Sequence, residues 1–571
     1  MKAVLVFRTR SFAGLATLLL IVGVITAFPL VFLVQSSFDE QPLPGAGGQG
    51  FTLRKFGELF SGKFVKPAIN TIVYSVSKTI LIVSAGAILS WITVRTNAPL
   101  KKLIDGLIVL PLLLPATLYY VGWALLMSPR GWVNGFLQDW MGLSEPIFSV
   151  FSLEGVILAG SAHTLPFAYL LLRPAMIIAN PEYEDAARIA GSNLIQTFAR
   201  VTVPLLLPAI LIAAIISLVR GIETFTPFIF LGTPVGVNSL STQILVSVQR
   251  TVPPDYGFAS ALAVFLVAVT SFLVYFYRRA TSMTAKYTTI TGKAVSPRLV
   301  DLRRFRYALS LVVVAILMLL YIPPIIVTVV NSLLPFGMPL TLDIFRRMSL
   351  NAYVDLLGDE LFRQALGNTS ILLVASSTIA MTIAILTAYV SIRTKLPGRS
   401  ILYILALLPL TIPGVSLGLA VLWTYVRTPI YGTVLILVLA ATAKMLPNAV
   451  AISSQVMHQV GHELEESSRI LGASWAFTFR RIMIPLVMAS LLPGLSYLMV
   501  ATIGDLDYVL LLRSAENEVL ATLVWSNWIA GYLPTTAALG VLSLGFGLGV
   551  FFIPRFLEER LWLKAAIGRR T

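Results

Sequence analysis

Long apolar runs alternate with short polar segments along the whole chain. Each run is close to the roughly 20 residues that a helix needs to cross a hydrocarbon core of about 30 Å. The runs are continuous, whereas membrane β-barrels use alternating strands of about ten residues. Lipid offers no hydrogen bonds to the backbone, so continuous runs favour helices. The predicted spans are residues 13–36, 68–94, 103–127, 154–176, 204–222, 257–278, 308–331, 368–392, 402–426, 432–456, 486–505 and 536–554.

Two tandem copies of one six-span unit are visible in these runs. A shift of 298 residues aligns the early part of the copies and a shift of 281 the later part, which indicates an insertion between Ser128 and Gly155. An even number of spans gives both copies the same orientation. We expect an all-α membrane protein of about 12 helices, with a first half at 1–278, a basic cytoplasmic linker at 279–305 and a second half at 306–571. Matching pairs are Asn70 and Asn368, Arg95 and Arg393, Pro111 and Pro409, Pro115 and Pro413, Gly191 and Gly472, Phe198 and Phe479, and Pro204 and Pro485.

Composition and charge narrow the class of protein. With 57% hydrophobic and 12% charged residues, the chain is too apolar for a water-soluble domain. A net charge of +16 could indicate nucleic acid or an anionic substrate, but most Lys and Arg fall in alternate loops. That asymmetry is the positive-inside rule, which predicts cytoplasmic termini and no nucleic-acid partner. The absence of cysteine excludes disulfides and thiolate metal sites.

One polar loop recurs after the fourth predicted span of each copy. It consists of an acidic helical turn, a glycine, a short amphipathic stretch and a proline at the start of the next span. Two such insertions at matched spacing predict a docking site for a partner. The candidate residues are Glu184, Asp185, Ala186, Ala187, Gly191, Phe198 and Pro204 in the first loop, and Glu465, Glu466, Ser467, Ser468, Gly472, Phe479 and Pro485 in the second.

The spacing of these residues resembles the EAA loop of permease subunits in bacterial ATP-binding cassette (ABC) importers. In that family, Glu-Ala-Ala precedes a glycine, and a proline follows further on. The first loop has Asp185-Ala186-Ala187 in this place and the second has Glu466-Ser467-Ser468, so the first changes the acid and the second both alanines.

The resemblance implies a type I importer permease fold in a bacterial inner membrane. It also implies that each loop forms a coupling helix seated in an ATPase subunit. An ATPase dimer would then hold the ATP and Mg²⁺, an extracytoplasmic binding protein would deliver substrate, and this chain would carry no cofactor and catalyse no reaction.

The fused double permease is similar to ferric iron importers and to their thiamine, putrescine and phosphonate relatives. Ferric iron is therefore the expected substrate. Import of thiamine, a polyamine or a phosphonate by the same mechanism is the alternative.

Charged residues inside predicted spans are candidates for the substrate path, because each costs roughly 2.5–3.5 kcal/mol at a helix centre. Arg220 and Glu223 are three residues apart, so they predict an ion pair within one helix. Alternatively, Glu223 and Asp505 belong to a ring of acids at the mouth of the path, which would suit a hard cation. His163 either packs in the fourth span or lines the path. The other candidates are Lys78, Lys444 and Asp507.

A metal site on this chain is not expected. His458 and His462 have a spacing that can bind a metal on one helix face, but they lack the HExxH order. A solvated helix is the preferred interpretation.

The predicted mechanism is alternating access, in which the two halves rock against each other as ATP binds to the partner. Pro111, Pro115, Pro409 and Pro413 should kink the third and ninth spans, which then serve as gates. An ion-coupled secondary transporter is the first rival, and it predicts transport without an ATPase. A membrane-embedded enzyme is the second, but the sequence offers no catalytic constellation for it.

Overall fold

The computed structural model describes residues 2–40, 50–142, 144–284, 299–337 and 344–567, and these are almost entirely helical. The first half contains α1 (Lys2–Thr26), α2 (Phe28–Ser37), α3 (Arg54–Gly57), α4 (Gly62–Arg95), α5 (Lys101–Val109), α6 (Ala116–Met127), α7 (Trp132–Met141), α8 (Leu153–Ile178), α9 (Glu182–Ile189), α10 (Leu194–Thr197), α11 (Val203–Ile222), α12 (Leu240–Gln249) and α13 (Tyr256–Thr284). The second half contains α14 (Phe305–Asn331), α15 (Ile344–Arg347), α16 (Asn351–Gly358), α17 (Glu360–Arg393), α18 (Arg399–Leu407), α19 (Gly414–Tyr425), α20 (Val434–Gln459), α21 (Glu463–Ile470), α22 (Trp475–Thr478), α23 (Ile484–Ile503), α24 (Val509–Leu512), α25 (Leu520–Ala530) and α26 (Leu533–Ile567).

Nine helices of the described ranges are long and apolar enough to cross a membrane. Counting each of four strongly bent helix pairs as one span raises the number to 13. The prediction of an all-helical membrane protein is confirmed. The pair not foreseen is Phe228–Val235 with Leu240–Gln249, which meet at 67° within a segment that the sequence assigned to an outer loop. Its apolar run is too short to stand out as a span.

The predicted kinks in the third and ninth spans are complete breaks. Lys101–Leu113 meets the following helical segment at 103°, and Arg399–Thr411 meets Gly414–Tyr425 at 112°. In both, the residue before the second proline is extended, with ψ of 128° at Leu114 and 112° at Ile412. Proline disfavours helical geometry in the residue that precedes it, so the chain turns there.

The helices of the two halves correspond at the predicted shifts. α4 matches α17 at 298 residues, and α8 matches α20 at 281. The insertion in the first half contains α7, whereas the corresponding residues between α19 and α20 form turns. Any position in one half can therefore be compared with a known position in the other.

The first helix of each half packs against the opposite half. Leu15 and Leu18 of α1 are buried in one cluster with Ala380 and Leu402 of the second half. Reciprocally, α14 packs against α5 and α6 of the first half. The hydroxyl of Tyr119 on α6 donates to the backbone oxygen of Leu320 at 3.3 Å.

The linker between the halves is described only at its end, because residues 285–298 lie outside the described ranges. α13 continues to Thr284, six residues into the predicted linker 279–305. Where the description resumes, the Val300 N–H donates to the Arg95 backbone oxygen at 2.8 Å. Hydrogen bonds from the Arg303 backbone and the Asn97 side chain lower the pKa of the Asp301 carboxyl. The linker thus returns to the end of α4.

Gly122 provides a test of the exchanged packing. A Cβ at this position on α6 would overlap the backbone oxygen of Pro324 on α14. We expect Gly122→Ala to lower the free energy of unfolding by about 1–3 kcal/mol, since neither backbone has room to move. At Gly106 on α5, no other described element comes within 4 Å of such a Cβ, so Gly106→Ala should be neutral or stabilising. Thermal unfolding in detergent measures the stability of both variants. Equal effects of the two substitutions would contradict the close contact between α6 and α14.

Candidate functional site

The two acidic loops fold as short matching helices. α9 and α21 each have three carboxylates in the first turn, where they complement the helix dipole. After each helix the chain turns on a glycine in the left-handed region, with φ of +92° at Gly191 and +82° at Gly472. The N–H of Ser192 donates to the Ala187 oxygen at 3.0 Å, and that of Ala473 to the Ser468 oxygen at 3.1 Å. Both loop helices therefore end at their glycine.

A buried glutamate ties the first loop to the membrane helices. Glu184 is only 2% exposed, and its Oε1 lies 3.6 Å from Nε of Arg95, the last residue of α4. The hydroxyl of Thr202 donates to the same oxygen at 2.8 Å. Nη2 of Arg95 donates to the backbone oxygen of Ala179, just after α8, at 2.5 Å. One arginine therefore connects α4, α8 and α9.

The second loop repeats this arrangement. Oε1 of Glu465 lies 3.6 Å from Nε of Arg393, the last residue of α17, and both side chains are buried. The hydroxyl of Tyr389 donates to Oε2 of the glutamate at 3.1 Å. Nη2 of Arg393 donates to the backbone oxygens of Met457, at 2.6 Å, and Val460. Sequence reasoning gave neither arginine a role, although Arg95 and Arg393 are a matching pair of the repeat.

The motif residues beside the buried glutamates lie nearer the surface. Asp185 pairs with Arg188 one turn away at 3.2 Å, and both side chains are partly exposed. Glu466 and Ser467 are exposed, whereas Ser468 is buried and its hydroxyl lies 2.8 Å from that of Thr478. Ala186 is exposed and Ala187 partly so.

The aromatic and proline positions of the motif shape the chain after each loop. The Phe198 ring packs edge-on against Trp91 at 5.6 Å, and the Phe479 ring against Tyr389 at 5.0 Å. The π-helical turns Phe198–Thr202 and Phe479–Met483 precede the prolines.

Such a turn carries an extra residue, which accommodates the missing N–H of Pro204 and Pro485. In the first half, the helical segment after the loop is consequently continuous over Leu194–Ile222. Pro204 lies in the first turn of α11, as predicted, but the helical segment already begins ten residues earlier, at Leu194.

Apolar side chains project from both loops. Ile189 is 89% exposed and Ile470 84%, at matching positions after the acidic turn. Large exposed apolar side chains outside the lipid-facing spans are typical of protein contact surfaces. We call these sets the loop faces; they comprise Tyr183, Ile189 and Ile195 in the first half, and Leu464, Ile470 and Leu471 in the second.

The charged residues that the sequence nominated for the substrate path form a cluster centred on Lys444 of α20. Its Nζ lies 2.9 Å from Oδ1 of Asp505 and 2.8 Å from Oδ1 of Asp507. The Asp507 carboxylate occupies the space where a Cβ on Gly414 would be, so the glycine admits it to the start of α19. The N–H of Tyr508 also donates to Asp507 at 2.9 Å. Lys444 thus pairs with both acids.

The first half contributes Lys78, Arg220 and Glu223 to this cluster. Glu223 directly follows α11, and its carboxyl interacts electrostatically with both other residues and with Lys444 of the second half. Its Oε1 has no hydrogen-bond partner among the described residues. The Arg220 guanidinium lies 5.3 Å from the Phe167 ring centroid instead of bonding to Glu223. The predicted helical ion pair is therefore replaced by a mixed cluster, and the role of these residues in a path stays a prediction.

His163 occupies the position in α8 that Lys444 has in α20. Its ring lies 5.1 Å from Tyr119 and 5.5 Å from Tyr120. The two halves thus present an imidazole and an ammonium at equivalent places.

No three His, Asp or Glu side chains lie close enough to hold a metal ion within the described ranges. His458 and His462 do not share a helix face, because α20 ends at Gln459 and α21 begins at Glu463.

A duplicated bundle of membrane helices, with one anchored loop per copy and a charged cluster between copies, is the architecture of a membrane permease. The family of binding-protein-dependent transport system inner membrane components matches the chain twice, at residues 82–282 and 380–563. These ranges include both loops and most of the cluster. The chain belongs to this family of ABC permeases, and its helices make it a multi-pass membrane protein.

Three known proteins show the extent of the likeness. The ferric transport system permease protein FbpB of Actinobacillus pleuropneumoniae is 23% identical over 76% of this chain and 63% of its own length. The sulfate transport system permease protein CysT of Escherichia coli is 30% identical over 33% of this chain and 66% of its own. A bacterial alginate ABC transporter, solved with an alginate-bound periplasmic protein, is 20% identical over 49% of this chain and 96% of that chain, with a TM-score of 0.40. The match spans less than two thirds of either curated relative.

Glu184 and Asp185, neighbouring acids of the first loop, provide a matched test of the contact between Glu184 and Arg95. We expect Glu184→Ala to lower the free energy of unfolding by about 3–5 kcal/mol, because it leaves the Arg95 charge buried without a partner. Asp185→Ala removes only a partly exposed pair and should cost about 0–1 kcal/mol. Chemical or thermal unfolding in detergent distinguishes them. Similar losses for both variants would show that Glu184 does not hold the loop.

Proposed function

We propose that this chain forms the translocation path of an importer driven by separate ATPase subunits that dock on the two loop faces. The observation that carries the proposal is the duplicated anchor, in which Arg95 holds Glu184 and Arg393 holds Glu465. Each loop is bound to the end of a 34-residue membrane helix, α4 or α17. A displacement of the loop must therefore move that helix.

The loop faces suit a protein partner. Their apolar side chains stand beside exposed carboxylates, as at Ile470 and Glu466. An apolar patch with a polar rim is typical of a protein interface. The partner in this proposal is an ATPase dimer that holds ATP and Mg²⁺, and closure of the dimer rocks the two halves by alternating access. The loops and both termini then lie in the cytoplasm of a bacterial cell, and a substrate-binding protein docks on the opposite side.

Ferric iron is the substrate that we propose first. The likeness to the ferric permease covers 76% of this chain and so includes both halves, whereas the sulfate permease matches 33%. Glu223, Asp505 and Asp507 supply the hard oxygen groups that such a cation prefers. In the present arrangement Lys444 occupies the two aspartates.

A tetrahedral oxyanion such as sulfate is the second candidate. The cluster holds Lys78, Arg220 and Lys444, and Arg220 makes no ion pair in the described structure. Free guanidinium and ammonium groups bind oxyanions.

Charge substitutions on the loop faces test the coupling. We expect Ile189→Glu with Ile470→Glu to abolish co-purification of the cognate ATPase, because the two carboxylates would be buried at the interface. ATP-dependent substrate uptake in proteoliposomes should be lost together with ATPase binding. Both side chains are more than 80% exposed, so thermal unfolding should not change.

Phe60→Glu is the control, since Phe60 is 88% exposed but lies in the segment before α4, on the proposed outer side. It should leave ATPase binding intact. Transport that continues in the double variant without the ATPase would instead establish an ion-coupled secondary transporter.

The substrate is identified by uptake assays with the cognate binding protein. We expect proteoliposomes with the complete importer to accumulate labelled Fe³⁺, and labelled sulfate not at all. Glu223→Gln should reduce iron uptake by about tenfold if the carboxylate contacts the ion, since one charge-assisted contact contributes about 1.5–3 kcal/mol. Accumulation of sulfate without iron would reverse the order of the two candidates.

A further inference from the structure

A polar pocket of about 360 Å³ lies where α17, α18 and α20 meet, on the side of the molecule that carries the loops. Ile392 and Ile404 complete its wall. The hydroxyl oxygens of Ser391 and Ser454 are buried there, and neither has a hydrogen-bond partner among the described residues. The pocket thus holds two hydroxyl donors that no described group of the chain satisfies. Its polar lining residues are Ser391, Arg399, Ser400, Tyr403, Ser454 and His458.

The equivalent place in the first half is filled by the chain's own carboxylate. Asp105 stands where Tyr403 does, and Oδ2 of Asp105 lies 3.4 Å from Nη2 of Arg173. The hydroxyl of Tyr169 donates to Oδ1 of Asp105 and lies 2.9 Å from that of Thr93. The Tyr169 hydroxyl and the Arg173 guanidinium thus converge on one carboxylate.

The second half keeps a cation and loses the anion. Arg399 replaces Lys101, whose charge interacts with Asp105 in the first half. Tyr403 replaces the aspartate itself, and Ser454 replaces the longer Arg173. Nη1 of Arg399 donates one hydrogen bond to the backbone oxygen of Thr394. The other N–H groups of the guanidinium remain available to a ligand in the pocket. The remaining volume has the size and the charge to take an external anion.

We propose that this pocket binds a phosphate group, held by Arg399 and His458 with the hydroxyls of Ser391, Ser400 and Ser454. Guanidinium forms short, charge-assisted hydrogen bonds with phosphate oxygens. The phosphate belongs to an anionic lipid headgroup or to a free phosphate. The wall of the pocket opens to the bilayer at Ile404, which is 55% exposed on a membrane helix, and this favours the lipid.

Occupancy of the pocket would act on the second loop. Ser391 and Ile392 directly precede Arg393, and His458 follows Met457, whose backbone oxygen accepts from Arg393. A ligand between these residues braces the arginine that holds Glu465. The first loop has its own brace in Asp105.

Native mass spectrometry of the full-length protein in detergent tests the site, with phosphatidylglycerol, phosphatidylcholine and inorganic phosphate as separate probes. We expect selective phosphatidylglycerol adducts on the wild type. Arg399→Gln should weaken that binding by about tenfold or more, since one charge-assisted contact is lost. Tyr403→Asp should abolish it, because the new carboxylate would place beside Arg399 the negative charge that Asp105 supplies near Lys101 in the first half.

Lys101→Gln is the matched control, because the equivalent place in the first half is already filled; it should leave lipid binding unchanged. Binding of inorganic phosphate with the same dependence on Arg399 would support the site and assign a soluble source. Adducts that do not distinguish phosphatidylglycerol from phosphatidylcholine, or that weaken equally in Lys101→Gln and Arg399→Gln, would overturn the proposal.

Discussion

The buried contact between an arginine at the end of a long membrane helix and a glutamate of a loop helix occurs once in each half. A charge removed from water in this way is tolerated only with a partner, so the geometry of Arg95 and Glu184 is strongly constrained. The same arginine also bonds to the backbone at the end of α8. Two membrane helices and the loop helix are therefore held as one unit, which can transmit force where a flexible loop could not.

The two halves share this scaffold but differ in the polar groups placed on it. The imidazole of His163 corresponds in position to the ammonium of Lys444, which forms ion pairs with two carboxylates. Asp105 fills one site whose counterpart beside Arg399 is open. Apolar packing has kept the backbone of the copies equivalent, while single side chains have diverged. Duplication thus allows one half to retain a structural role and the other to acquire a ligand or a charge.

Much of the fold could be predicted from periodicity and repetition alone. The apolar runs, the shifts of 298 and 281 residues and the glycines after the acidic turns all match the structure. Local sequence could not show that Phe228–Val235 folds back into the bundle, because that depends on neighbouring helices. The continuous helix through Pro204 depends on a π-turn, which has no clear sequence signal.

The candidate site was predictable as a pair of loops but not in its chemistry. Spacing drew attention to Asp185 and Glu466, yet the buried acids are their neighbours Glu184 and Glu465. The pairing of Lys444 with Asp505 and Asp507 joins distant segments, and only the tertiary structure could bring them together.

The exchange of first helices affects how the chain is made. α1 leaves the ribosome long before Ala380 and Leu402, beside which it is finally buried. During synthesis it must remain in the bilayer, covered by lipid or by the insertion machinery, until the second half arrives. Assembly of the first half is consequently completed only near the end of translation, and a truncated chain would leave one of its helices without a permanent neighbour.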